Sequence, residues 1–184
     1  MKKVFIIHGF EGTPNGGWRP WLMGELEKEG IYACALPMPT PEAPVKNEWV
    51  KTIKEAVQEN YSEAILVGHS LGSSAILRYL ETIGDNAVSG AILASGPYTS
   101  TREQIDSFYD TPFDFEKIKK ACKKFVVIHG DNDPFVSFDH AEKFSKSLDC
   151  ELISIKNGGH LNGGSGCFEL PEVLEEVLKL TAKT

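Results

Sequence analysis

The stretch AILVGHSLGSSAILRYL, Ala64–Leu80, decides how the rest of the chain is read. Ala64–Gly68 is a short apolar run closed by glycine, the pattern of a buried strand. SSAILRYLETI, from Ser73 onward, has the spacing of a helix and stops near Gly84. Between them stands GHSLG (Gly68–Gly72), which is the only G-x-S-x-G in the chain. A strand that enters a helix through this pentad makes a sharp turn and lifts the serine hydroxyl above the sheet. Side chains at Gly68 and Gly72 would collide with the neighbouring strand and helix. The helix N-terminus beneath Ser70 favours negative charge.

Working outward, the same alternation recurs. KVFIIH (Lys3–His8), IYACALP (Ile31–Pro37), SGAILAS (Ser89–Ser95), KFVVIHG (Lys124–Gly130) and CELISI (Cys150–Ile155) read as strands. WRPWLMGELEKE, NEWVKTIKEAVQEN, FDHAEKFSKSL and PEVLEEVLKLTA read as helices, the first with Trp18, Trp21, Leu22 and Leu26 on one face. PMPTPEAP carries four prolines and is an extended loop. The strands are apolar throughout rather than alternating. That pattern predicts a three-layer α/β/α fold, with a mostly or fully parallel sheet of about six strands and helices on both faces. The chain is expected to form one domain, 1–184, with a small cap-like segment at about 96–114 over the strand ends.

Composition agrees with such a domain. A chain of 184 residues buries roughly 70% of its unfolded surface and needs no disulfide or metal staple. A net charge of −7 argues against nucleic acid or anionic lipid as a partner. No stretch approaches a membrane span. The apolar run after Lys2-Lys3 is too short for a signal peptide and lacks a cleavage site. The four cysteines, Cys34, Cys122, Cys150 and Cys167, have no metal-ligand spacing and are expected as free thiols in the cytoplasm. No P-loop, dinucleotide fingerprint or H-E-x-x-H occurs, so neither cofactor nor metal is expected.

Ligands of parallel sheets bind at the carboxyl ends of the strands, so those ends carry the chemistry. One ends in Ser70. Another ends HGDNDPFVS (His129–Ser137), with two candidate acids, Asp133 and, less favoured, Asp131. After the last strand, KNGGHLNGGSG presents His160 between glycines. A carboxylate can orient a histidine that in turn activates a serine, and the order Ser70, Asp133, His160 suits that arrangement. An oxyanion formed on Ser70 needs two N–H groups: Leu71, which follows the nucleophile, and Phe10, in the loop after the first strand. His8, His69 and His129 read as buried structural residues and His140 as an exposed helix residue. Trp18, Tyr98, Phe108, Tyr109 and Phe135 are candidates to line a substrate pocket.

Taken together, HGFEG before WRPWLMGELEKEG, LPMPTPEAPVKNEW, LVGHSLGSSAILRYL, HGDNDPFVS and GGHLNGGSGCFELPE resemble the α/β-hydrolase superfamily. More narrowly they resemble the small serine hydrolases of the retinoblastoma-binding-protein-9/YdeN type, over nearly the whole chain. The resemblance implies a minimal α/β-hydrolase core with a Ser70–Asp133–His160 triad and Phe10 and Leu71 at the oxyanion hole. The expected activity is hydrolysis of a small acyl ester through an acyl-enzyme. The alternatives are an aminopeptidase or amidase on the same triad, and a hydrolase-fold module that binds protein without turnover. The partner expected is a small ester or amide substrate; a protein partner is not indicated.

Overall fold

Strands and helices alternate along residues 1–182, the part that the computed structural model describes: β1 (Lys3–Ile7), α1 (Arg19–Lys28), β2 (Tyr32–Leu36), α2 (Lys46–Val57), β3 (Ala64–His69), α3 (Leu71–Leu80), β4 (Gly90–Ala94), α4 (Phe115–Lys120), β5 (Phe125–Gly130), α5 (Phe138–Leu148), β6 (Glu151–Ile155) and α6 (Pro171–Thr181). The last two residues of the expected 1–184 domain lie outside the described ones. All six strands are parallel, in the order β2-β1-β3-β4-β5-β6.

Pleating explains why the strands are apolar without alternation. Val4, Ile6, Ile65, Val67, Ile92, Val126 and Ile128 pack on one side with Leu22 and Leu26 of α1 and Val173 and Val177 of α6. Phe5, Ile7, Leu66, Leu93 and Val127 face the other side, against Trp49 and Ile53 of α2, the apolar side chains of α3, Ile118 of α4 and Phe144 of α5. A strand covered on both faces needs an apolar residue at every position. β6 departs from this because it is an edge strand, and its residues are half-buried or exposed.

Some boundaries differ from the sequence reading. α3 starts at Leu71, immediately after the serine and two residues earlier than its helix-forming run suggests, and every one of its residues is buried. The short helix α4 was not expected; its periodicity is too brief to register, but Asp114 caps it by accepting the N–H of Lys117 at 3.1 Å.

The site is placed by a change of direction in the sheet. The chain leaves β1 for β2 on one side, then returns to lay β3 on the other. A crevice opens beyond the carboxyl ends of two strands that diverge in this way. Here those ends carry Gly9-Phe10 and Ser70. α3 must also come close to β1: a Cβ at Gly72 would sit 2.2 Å from the carbonyl oxygen of Ile7. Only glycine allows that approach.

Candidate active site

Ser70 sits between β3 and α3 with φ 53° and ψ −124°, a conformation that costs a non-glycine residue energy. The neighbouring strand holds it there. The Ser70 N–H donates to the Ala94 carbonyl at 2.8 Å, and the Ser70 carbonyl accepts from the Ser73 N–H at 2.9 Å. The side chain is left free to face the crevice. Gly9 passes directly beside it, where a Cβ would lie 2.7 Å from the Ser70 Cβ.

The loop after β5 carries Asp133. The Asp133 side chain has no solvent exposure. Its Oδ1 accepts the N–H groups of Phe135 and Val136 at 2.9 and 3.0 Å, and its Oδ2 receives His160 Nδ1 at 2.7 Å. Burial alone raises the pKa of this carboxyl. The His160 hydrogen bond and charge, with the two backbone N–H groups, outweigh burial and hold it below the usual carboxylate range. Asp131 has a different role. Its Oδ1 accepts the Asn157 N–H at 2.7 Å, and Asn132 Oδ1 accepts the Gly159 N–H at 2.8 Å. These bonds tie the β5 loop to the loop that carries His160.

That loop is held from three further directions. The His160 N–H donates to Ser165 Oγ at 3.1 Å, and its carbonyl accepts from His69 Nε2 at 2.8 Å. Trp18 Nε1 donates to the Leu161 carbonyl at 2.9 Å. His69 is deeply buried, and desolvation, then the charge of His160, push its pKa down to about 3. It is neutral, with its one ring N–H on Nε2 directed to the carbonyl. His129, also kept neutral by burial, donates Nε2–H to Val136 and lies 3.4 Å from Asp133 Oδ2. Glycine spacing suggests a mobile presentation of His160; the hydrogen bonds show a braced one.

Ser70, His160 and Phe10 line one cleft with two arms. The first arm, about 300 Å³, is walled by glycines and reaches Arg19. The second, about 250 Å³, is lined by Leu71, Pro97, Ile105 and Phe135. Among the described residues the N–H groups of Phe10 and Leu71 have no backbone acceptor, so both remain available to a ligand. A larger hollow of about 830 Å³ opens elsewhere, between Lys2, Ser89, Lys124 and Leu180, and holds none of these groups.

Only Phe135 of the five aromatic candidates reaches the cleft; it is 57% exposed and stands edge-on to the His160 ring at 5.3 Å. Trp18 and Phe108 have no exposed surface and belong to the core. Tyr98 stacks on Phe115 and bonds Ser147, and Tyr109 bonds Ser74 and the Pro97 carbonyl, so both brace the cap segment. His140 is half-buried rather than exposed, because its Nδ1 accepts the Tyr98 N–H at 2.8 Å. From the segment Gly96–Asp114, Pro97, Thr101, Arg102 and Ile105 line the second arm.

All four cysteines are free. Burial pushes the Cys122 thiol up to about 12 and the Cys150 and Cys167 thiols up to about 11, which makes these three poor nucleophiles at neutral pH.

A family model described as serine hydrolase matches residues 4–179. The chain is 33% identical to YdeN of Bacillus subtilis (strain 168), over 99% of this chain and 97% of YdeN. It is 28% identical to the serine hydrolase RBBP9 of Rattus norvegicus, over 96% of this chain and 95% of the relative. The crystal structure of the B. subtilis ydeN gene product superposes with a TM-score of 0.94 at 34% identity, covering 100% of both chains. Est1E from Butyrivibrio proteoclasticus, at 17% identity and a TM-score of 0.77 over 99% of this chain and 90% of that one, shares the fold.

Proposed function

Since the chain belongs to the serine hydrolase family, we propose that this hydrolase cleaves a small acyl ester through an acyl-enzyme, with Ser70, His160 and Asp133 as its triad. The observation that carries this reading is the 2.7 Å bond from His160 Nδ1 to a fully buried Asp133, in a cleft that His160 shares with a serine on a strained turn.

Each group has a role that follows from its position. Asp133 accepts a hydrogen bond from Nδ1–H, so the Nε2 lone pair is the one free to take a proton from Ser70 Oγ. Ser70 Oγ attacks the carbonyl carbon, and the carbonyl oxygen becomes an oxyanion held by the Phe10 and Leu71 N–H groups. The developing imidazolium is stabilised by the Asp133 carboxylate. It returns its proton to the departing alkoxide as the ester C–O bond breaks. Water, deprotonated by His160, then attacks the acyl-enzyme and releases the acid and Ser70. The second arm, with Ile105, Leu71 and Phe135, suits a short apolar substituent.

Fluorophosphonate labelling of wild type beside Ser70→Ala, with the adduct located by mass spectrometry, tests this reading. An adduct on Ser70 that is absent from the variant is expected. A folded wild type that stays unlabelled would overturn it. Turnover of an acyl ester beside the matching amide separates the esterase reading from an amidase.

A further inference from the structure

Two arginines are buried in this protein, and they are treated differently. Arg78, 5% or less exposed like its counterpart, bonds Glu81 at 2.9 and 3.0 Å and the carbonyls of Phe108, Thr111 and Pro112. Its charge and its donors are satisfied within the fold. Arg19 is 5% exposed, yet only its Nε has a partner, the Thr13 carbonyl at 2.9 Å. Among the described residues no carboxylate pairs with it. Burial lowers its pKa to about 10, which leaves it a cation at neutral pH.

A largely buried, unpaired guanidinium is costly, because much of water's solvation is lost and no protein group replaces it. Arg19 also lines the first arm of the cleft, on the same wall as Ser70 and His160. Gly16 keeps it uncovered: a Cβ there would lie 2.6 Å from Nη2. Apart from Phe10, the rest of that arm offers backbone and small polar groups, such as Thr13 and Asn162, rather than apolar side chains. The one carboxylate in the arm, Glu11, is exposed and forms no ion pair among the described residues; water screens it more than the buried cation.

We propose that Arg19 in the glycine-walled arm receives a carboxylate carried by the substrate, so that this enzyme acts on esters bearing an anionic group. This rests on the hydrolase reading and deepens it by naming the substrate class. The planar, forked guanidinium matches a carboxylate in two parallel hydrogen bonds.

The test compares kcat/KM for 4-nitrophenyl butyrate with 4-nitrophenyl hemisuccinate, and for phenyl butyrate with 3-butyryloxybenzoate. The first pair places the carboxylate on the acyl side and the second on the leaving group. One pair is expected to favour the charged ester by about tenfold to a hundredfold in wild type. In Arg19→Met that ratio falls to near one, and Arg19→Lys retains part of it. The ratio is independent of how much of a variant is folded. A wild-type ratio near or below one in both pairs, or a ratio unchanged in Arg19→Met, overturns the proposal. If no ester is turned over and Ser70 is not labelled, the hydrolase reading has failed. Arg19 is then judged by succinate: stabilisation of wild type but not of Arg19→Met against heat upholds the anion site, and stabilisation of neither or both ends it.

Discussion

Asp133 shows how a single carboxylate can be committed to one task. Both of its oxygens are engaged, Oδ1 by the Phe135 and Val136 N–H groups and Oδ2 by His160. Asparagine in its place would fill the space, but with its one oxygen on the Phe135 and Val136 N–H groups it would turn an NH2 donor towards His160, which favours the wrong imidazole tautomer. We expect Asp133→Asn to stay folded and to lose about a thousandfold to ten-thousandfold in kcat on a neutral ester; a loss below tenfold would remove Asp133 from the triad. The positions of Ser70, Asp133 and His160 were legible in the sequence because each closes a strand that the sequence marks clearly. The buried places of Trp18 and Phe108 were not, since helical spacing identifies a buried face at Trp18 without telling core from cleft, and the irregular segment around Phe108 has no periodicity to read. Arg19 was missed for a related reason: a charged residue beside a proline at a helix start looks like surface. Its burial is set by loops far along the chain, around Asn162 and Gly163, that form the opposite wall of its arm.

At the scale of elements, the spacing between α3 and the sheet positions Ser70. A Cβ at Gly72 would meet the backbone of Ile7 and His8, at 2.2 and 2.7 Å from their carbonyl oxygens, and backbone cannot yield as a side chain can. Gly72→Ala is expected to cost about 3 kcal/mol or more in urea unfolding. Gly24, inside α1, has nothing within 4 Å of an added Cβ, so Gly24→Ala should stabilise by about 0.5–1 kcal/mol. Equal effects of the two substitutions would contradict the packing described for α3. Element order and type were readable almost throughout, and α5 agrees with its predicted span at both ends. The differences fall where local pattern is weak: the short α4, and the start of α3, where a tertiary requirement to place Ser70 at the turn overrides the helix signal that becomes clear only from Ser73.

The whole molecule should be sensitive to acid through its histidines. Burial lowers the pKa of His8, His69, His129 and His140, and His69 falls to about 3. In the unfolded chain each titrates near about 6.5. Below that pH the unfolded state binds protons that the folded state refuses, so stability is full above about pH 7 and falls as pH drops from there. Asp133, with its lowered pKa, adds to the loss only below its unfolded value of about 3.9. The melting temperature should therefore be flat between pH 8 and 7 and decline towards pH 4.5, with a shallower decline in His69→Gln; a melting temperature unchanged down to pH 4.5 would contradict this. The strand order has one more consequence, for a chain emerging from a ribosome. β2, β1 and β3 are made first and form one half of the sheet, and after β3 each new strand pairs with the one made just before it. The sheet can thus grow at a single edge in step with translation. Ser70 is docked when β4 arrives, Asp133 follows β5, and His160 comes only after β6, so in the proposed mechanism a nascent chain carries the nucleophile long before it carries the means to arm it.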